Sequence, residues 1–120
     1  MPTTSPSKYD FKIFQGGTFN ELITWSTGAP SQPIDLTGCT AKMQVRSSIT
    51  APTILLELSS VNGAIVLGGS SGTIQLFLNP EQTASINWTS GVYDLEINFN
   101  ANDTRKLLFG TVTVVQEVTR

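Results

Sequence analysis

The run "GVYDLEINF", residues 91–99, alternates without a break: Tyr93, Leu95, Ile97 and Phe99 fall on one side, Asp94, Glu96 and Asn98 on the other. A period of two sends every second side chain to one face of a pleated strand, and no helix can bury such a pattern on one side. The same period returns along the chain in short runs separated by Gly, Asn and Pro, which predicts strands joined by turns.

Eight such runs follow an N-terminal stretch, residues 1–7, that is rich in Pro, Ser and Thr and reads as a flexible arm; residues 8–120 read as one β domain. "KYDFKIFQ" places Tyr9, Phe11 and Ile13 on one face and ends at Gly16-Gly17, a pair compatible with a hairpin. "TFNELITW" has Phe19, Ile23 and Trp25 on one face and Leu22 on the other, so this strand is either covered on both sides or bulged. In "PIDLTGCTAKMQVR", Asp35 suits an Asx turn and Gly38 frees the backbone before the third strand. That strand sends Cys39, Ala41, Met43 and Val45 inward and Thr40, Lys42, Gln44 and Arg46 outward. "TILLELS" predicts Ile54, Leu56 and Leu58 inward, "AIVL" a brief strand, and "TIQLFL" a core face of Ile74, Leu76 and Leu78. In "NPEQTASIN", Asn79 as N-cap, Pro80 at the first helical position and Gln82 at the third predict one short helix. "KLLFGTVTVVQEV" closes the chain, with Gly110 as a bulge or close-approach site and Lys106–Val118 as an edge for strand addition.

Runs of this kind without helical crossovers predict an antiparallel sandwich or a partly closed barrel. Gly91, Tyr93 and Leu95 have the Gly-x-Tyr-x-Cys spacing of an immunoglobulin tyrosine corner, with Leu95 in the cysteine position, and this favours the sandwich. If the third strand lies beside the seventh, Lys42, Gln44 and Arg46 meet Asp94, Glu96 and Asn98 across the ladder, and unlike charges help to set the register.

The chemistry available is limited. Only 13% of the residues are charged, the formal net charge is -2 and the pI is near 4.9, so the basic field that nucleic-acid binding needs is missing. Residues 1–10 lack a secretory-type apolar core and no apolar run approaches the roughly 20 residues of a membrane span, which predicts a soluble product with no membrane partner. With no His, triads and the commonest metal ligand are both excluded. Cys39, the one cysteine, reads as a buried small hydrophobe.

Asp94 and Glu96 share a strand face about 7 Å apart, a spacing that any pleat gives and that matches an inverting glycosidase only by coincidence. With Asn98 they offer three oxygens, too few for Ca²⁺. Gly68, Gly69 and Gly72 lead into a strand without the lysine of a phosphate loop, and the sequons at Asn87 and Asn102 mean little without export. No catalytic, metal or cofactor residue is assigned. For partner contact the candidates are Thr3, Thr4, Ser5 and Pro6 in the arm, with Trp25 and Trp88; Phe14 and Phe77 also lie off the predicted core faces or near turns. An exposed aromatic row would allow weak contact with a surface glycan.

The segments "YDFKIFQGGTF", "PIDLTGCTAKMQVR", "GTIQLFL", "SGVYDLEI" and above all "IDLTG" with "AKMQVR" and the ending "GTVTVVQEVTR" resemble small structural proteins of tailed bacteriophages. They are similar to the N-terminal domain of phage baseplate upper proteins, over Tyr9 to Arg120. The resemblance implies an immunoglobulin-like β-sandwich of about eight strands and a non-enzymatic virion component. It would be made in the host cytoplasm and repeated in symmetric copies among other virion proteins of the tail or baseplate. A capsid decoration protein, or a carbohydrate-binding or adhesion module, is the alternative. No site residue is carried over with the resemblance.

Overall fold

The computed structural model describes residues 6–28 and 30–119. Its strands are β1 (Ser7–Lys8), β2 (Phe11–Phe14), β3 (Phe19–Thr24), β4 (Ser26–Thr27), β5 (Gln32–Pro33), β6 (Thr40–Arg46), β7 (Leu56–Ser59), β8 (Ile65–Leu67), β9 (Thr73–Leu78), β10 (Ser90–Asn100) and β11 (Asp103–Val115). A 3-10 turn spans Gly69–Ser71 and the single α-helix, α1, spans Pro80–Ala84. The helix is set by its capping box: Asn79 Oδ1 accepts from the Gln82 amide and Gln82 Oε1 from the Asn79 amide, both at 2.8 Å.

The larger sheet, sheet A, runs β1-β11-β10-β6-β7, with β2 also on β11; sheet B runs β3-β9-β8, and β4-β5 form a small separate ribbon. One sheet thus holds the third, fourth, seventh and eighth of the sequence runs, and the other holds the second, fifth and sixth. The first run also lies on the larger sheet, beside the last, and the two sheets pack as an immunoglobulin-like sandwich. Between the sheets lies one core in which Val45, Leu58, Ile74, Leu76, Leu95, Ile97 and Val112 are fully buried. The period of two produces it, since each of these residues stands on the inward half of its strand.

Several expectations change. Gly16-Gly17 makes no hairpin: β2 pairs in parallel with β11, from Phe11↔Val112 to Val115↔Phe14, while β3 belongs to the other sheet. The pair instead carries the chain across the sandwich, held by Thr83 of α1, whose buried hydroxyl accepts from Gly16 N–H and donates to Gly17 O. The sheet is therefore not wholly antiparallel, because the rest of the domain serves as the crossover between the first strand and the last. Ser7, assigned by sequence to the arm, lies in β1 and pairs with Leu108.

Ile54 is exposed and precedes β7, so the inward set there begins at Leu56. Tyr9 is half exposed at the step between β1 and β2, its ring against Phe11 with centroids 4.9 Å apart. Leu22 is exposed, so β3 is covered on one side only. β1 covers β11 at Leu108 and Phe109 and β2 covers it from Val112 to Val115, so most of the predicted edge within the strand is taken, while Lys106 and Leu107 have no strand on that side.

Gly110 is a close-approach site. Its φ is 156°, and a Cβ there would lie 2.4 Å from the carbonyl oxygen of Tyr9 and 2.7 Å from Asp10 Oδ1. The Tyr93 hydroxyl, at the tyrosine-corner position, donates to that same Tyr9 carbonyl instead of to backbone just upstream of its own strand. Burial, with the Asp10 charge adding to it, pushes the phenol well above its usual range, so it stays a donor.

Candidate contact surfaces

Sheet A turns a charged face to solvent. The predicted neighbours do meet: Lys42 is opposite Glu96, Gln44 opposite Asp94 and Arg46 opposite Val92 along the β6-β10 ladder. The ion pairs nevertheless go to the other neighbour. A bulge at Leu107, between the pairs Leu95↔Leu108 and Glu96↔Lys106, turns Lys106 toward both carboxylates, with Nζ 2.5 Å from Glu96 and 3.5 Å from Asp94. The Glu96 hydrogen bond is the main reason the ammonium is held above its ordinary value, and Asp94 reinforces it.

Around this cluster Gln44 Nε2 donates to Glu57 at 3.0 Å, and Arg46 donates to Gln44, to Ala51 O and to Pro52 O, fastening the loop after β6. The result is a hollow of about 330 Å³ whose lining includes Lys42, Gln44, Arg46, Ile49, Asp94 and Lys106. An ammonium stands where a substrate oxygen or attacking water would have to sit between Asp94 and Glu96. Asn98 Nδ2 is turned to Thr104 Oγ1, and no group of three His, Cys, Asp or Glu among the described residues is placed to share a cation. Cys39 is half-buried just ahead of β6, and burial, with Asp35 and Asp103 adding to it, raises its thiol pKa away from the reactive thiolate.

Sheet B turns a different face outward. From β3, β9 and β8 it presents Asn20, Leu22, Thr24, Gln75, Phe77 and Val66, with no charge among them. Leu22 is 67% exposed, Val66 54% and Phe77 38%, and the Gln75 amide donates to Asn20 across the ladder at 3.1 Å. The exposed apolar side chains are scattered among amides and hydroxyls, so the patch is neutral as well as partly apolar.

The other contact candidates divide. Trp25 is buried, its ring edge-on to Phe99 at 5.9 Å, and the Arg105 guanidinium lies over that Phe99 ring 4.8 Å from its centroid, so this indole belongs to the core and not to a contact surface. Trp88 is half-buried against the same core. With neither indole displayed, the aromatic platform that sugar binding needs is not assembled from them. Phe14 and Phe77 are exposed on different sheets. Pro6 is exposed just before β1, while Thr3, Thr4 and Ser5 lie outside the described residues. Among the described residues no helix is long and apolar enough to cross a membrane.

The sequence reading missed both the role of Lys106 and the uncharged face. The first depends on a one-residue bulge that leaves no mark in composition. The second had a signal: Leu22 opposes the inward set of its own strand, and Phe77 does the same on β9.

No protein-family model matches the chain, and no curated protein matches it. Among solved structures it is similar to a voltage-gated sodium channel β subunit studied for multimeric cell-adhesive interactions, at 15% identity, covering 96% of this chain and 98% of that one, with a TM-score of 0.49. It is also similar to the extracellular domain of the sodium channel β4 subunit, described as a parallel homodimer, at 15% identity and a TM-score of 0.42, with 100% and 95% covered. A third likeness is to Drosophila OTK extracellular domains 3–5, at 12% identity, 88% of this chain and 33% of that one, with a TM-score of 0.38. The fold assignment rests on the ladders and strand order above, and these likenesses add nothing about partners.

Proposed function

We propose that the protein is a non-enzymatic structural subunit of a tailed-bacteriophage virion, set in the tail or baseplate and acting through contacts with other virion proteins and with further copies of itself. The observation that carries the contact reading is the division of its surface. The Asp94–Glu96 carboxylate pair is closed by Lys106, while sheet B displays an uncharged face with exposed Leu22, Val66 and Phe77. Such a surface suits being gripped more than turning over a substrate.

The virion part rests on the sequence resemblance, and its two most specific segments are structurally coherent. "IDLTG" is an Asx turn in which Asp35 Oδ1 accepts from the Thr37 amide and hydroxyl, and Gly38, at φ 79°, leads into β6. "GTVTVV" is the half of β11 that β2 covers. A fold held by packing alone, with one thiol and no disulfide, also suits assembly in a reducing cytoplasm.

The test is location. Mass spectrometry of purified particles, with gold-labelled antibody on intact ones, is expected to find the protein at the tail or baseplate. Label over the head would replace that placement with a decoration role, and absence from particles would refute the virion reading.

A further inference from the structure

The strand edges of this sandwich are unequally protected. β7 ends sheet A with four residues, β8 ends sheet B with three, and the other edge of sheet A is interrupted at Tyr9-Asp10, between β1 and β2. β3 has six residues and contains no Pro, no Lys and no bulge, with an unbroken register from Phe19↔Leu78 to Thr24↔Thr73. In this topology β1 and β2 both go to β11, so neither covers β3. Long, regular edges of this kind are templates for another strand.

The ladder fixes which groups are left over. Trp25 N–H donates to Gly72 O at 2.8 Å, so Ile23 and Glu21, two and four residues back, also turn their backbone groups toward β9. The far side of β9 agrees, because Phe77 N–H donates to Ala64 O and Gly68 N–H to Thr73 O, leaving residues 74, 76 and 78 for β3. Asn20, Leu22 and Thr24 therefore point N–H and C=O away from the sheet, and no described backbone group meets them.

We infer that this edge pairs with the β3 of a second copy, antiparallel about a two-fold axis through Leu22. The inference deepens the contact reading above by naming the surface and the occupant. In that register Leu22 faces its own counterpart and Asn20 faces Thr24, so the outward groups of each copy meet the outward groups of the other. On the inner side Glu21, the only charge on the strand, falls opposite Ile23 and not opposite the second Glu21. The outer side joins two charge-free faces into one six-stranded surface with no like-charge penalty, whereas the charged face of sheet A could not meet itself in that way. Residues 1–5 of a neighbour are the rival occupant, and they fit less well because Pro2 has no N–H to give to the ladder.

One six-residue edge is well short of the ~1,200–2,000 Å² of a stable interface, so the dimer is weak and gains its use from many copies held together. Sedimentation velocity on the full chain from about 10 μM to about 1 mM, the range where weak contacts fill, is expected to show a monomer–dimer equilibrium. Amide exchange at Asn20, Leu22 and Thr24 should slow as concentration rises. Leu22→Lys, which opposes two ammoniums at the axis, should abolish the dimer. Val66→Lys, which adds the same charge to the same face on β8, should keep it. Asn20→Pro, which removes an outward N–H that no intramolecular bond uses, should also abolish it. A monomer at every concentration, a dimer that survives Leu22→Lys, or a dimer lost equally in Val66→Lys would overturn edge pairing. A monomer found in virions would leave the virion reading standing and remove only this one, and a dimer absent from virions would do the reverse.

Discussion

The two outer faces of the sandwich are built from the same strand periodicity, yet they spend their polar residues differently. Sheet A places Lys42, Arg46, Glu57, Asp94, Glu96 and Lys106 outward and ties most of them to one another or to a loop. Sheet B places none outward; the Gln75 amide bonds only to Asn20 beside it, and the exposed apolar side chains of Leu22, Val66 and Phe77 stay available. The lesson is that charge can be consumed in holding a fold, so the busier electrostatic face is the one with less left to offer a partner.

That contrast can be broken in order of expected effect. Gly110→Val attacks the charged side at its firmest point, where Tyr9 and Asp10 approach, and should cost about 2–4 kcal/mol from strain and overlap, read by urea denaturation. Lys106→Met removes the ammonium shared by Asp94 and Glu96, whose side chains are part-exposed. It should cost about 0.5–1 kcal/mol at low ionic strength and little in high salt, and an equal loss at both would show that packing of the lysine stem mattered more than charge. Lys42→Glu, which sets a second carboxylate opposite Glu96, should lose a few tenths of a kcal/mol more than Lys8→Glu, and indistinguishable melting curves would sink the cross-strand argument. Val66→Lys on sheet B should change stability by less than about 0.5 kcal/mol in urea denaturation, because that side chain is mostly exposed.

Acid titration sharpens the comparison without a new charge. Asp10 is held below its ordinary pKa by hydrogen bonds from Thr111, and Asp35 by those from Thr37. A carboxylate depressed in the folded state stabilises above its unfolded value, near 4, and that contribution fades as pH falls through the folded value. Asp10→Asn should therefore flatten the stability curve below about pH 4 and leave it parallel to wild type near neutrality. Lys106, raised in the folded state, works at the other limit: its contribution is complete below its unfolded value and is lost only as strongly alkaline pH passes the folded one.

Much of the fold was legible because burial on one side of a strand writes itself into alternate residues. Ala41, Met43, Val45, Tyr93, Leu95, Ile97, Ile74, Leu76 and Leu78 are all where the period of two puts them, and the Asn79–Gln82 cap is local chemistry that needs no tertiary context. Pairing partners were less accessible. Nothing in "KYDFKIF" says that its neighbour is more than 90 residues away or that the pairing is parallel, and Gly16-Gly17 suits a hairpin as well as a crossing between sheets. Trp25 misled because turn proximity suggested exposure, while the actual fold closes Phe99 over it. The open edge of β3 could not be read at all from local pattern, since an edge is defined by what fails to arrive beside it.

The parallel seam between β2 and β11 has a mechanical consequence. Because the strands run the same way, Ser7 lies beside Leu108 while β11 runs on to Val115, with strand rise setting those two points about 23 Å apart along a body 46 Å long. Tension applied between Ser7 and Val115 would load the four Phe11–Phe14 pairings together in shear instead of peeling them singly. A single-molecule pulling trace with one high rupture peak would display that resistance, and a low, stepwise trace would deny it.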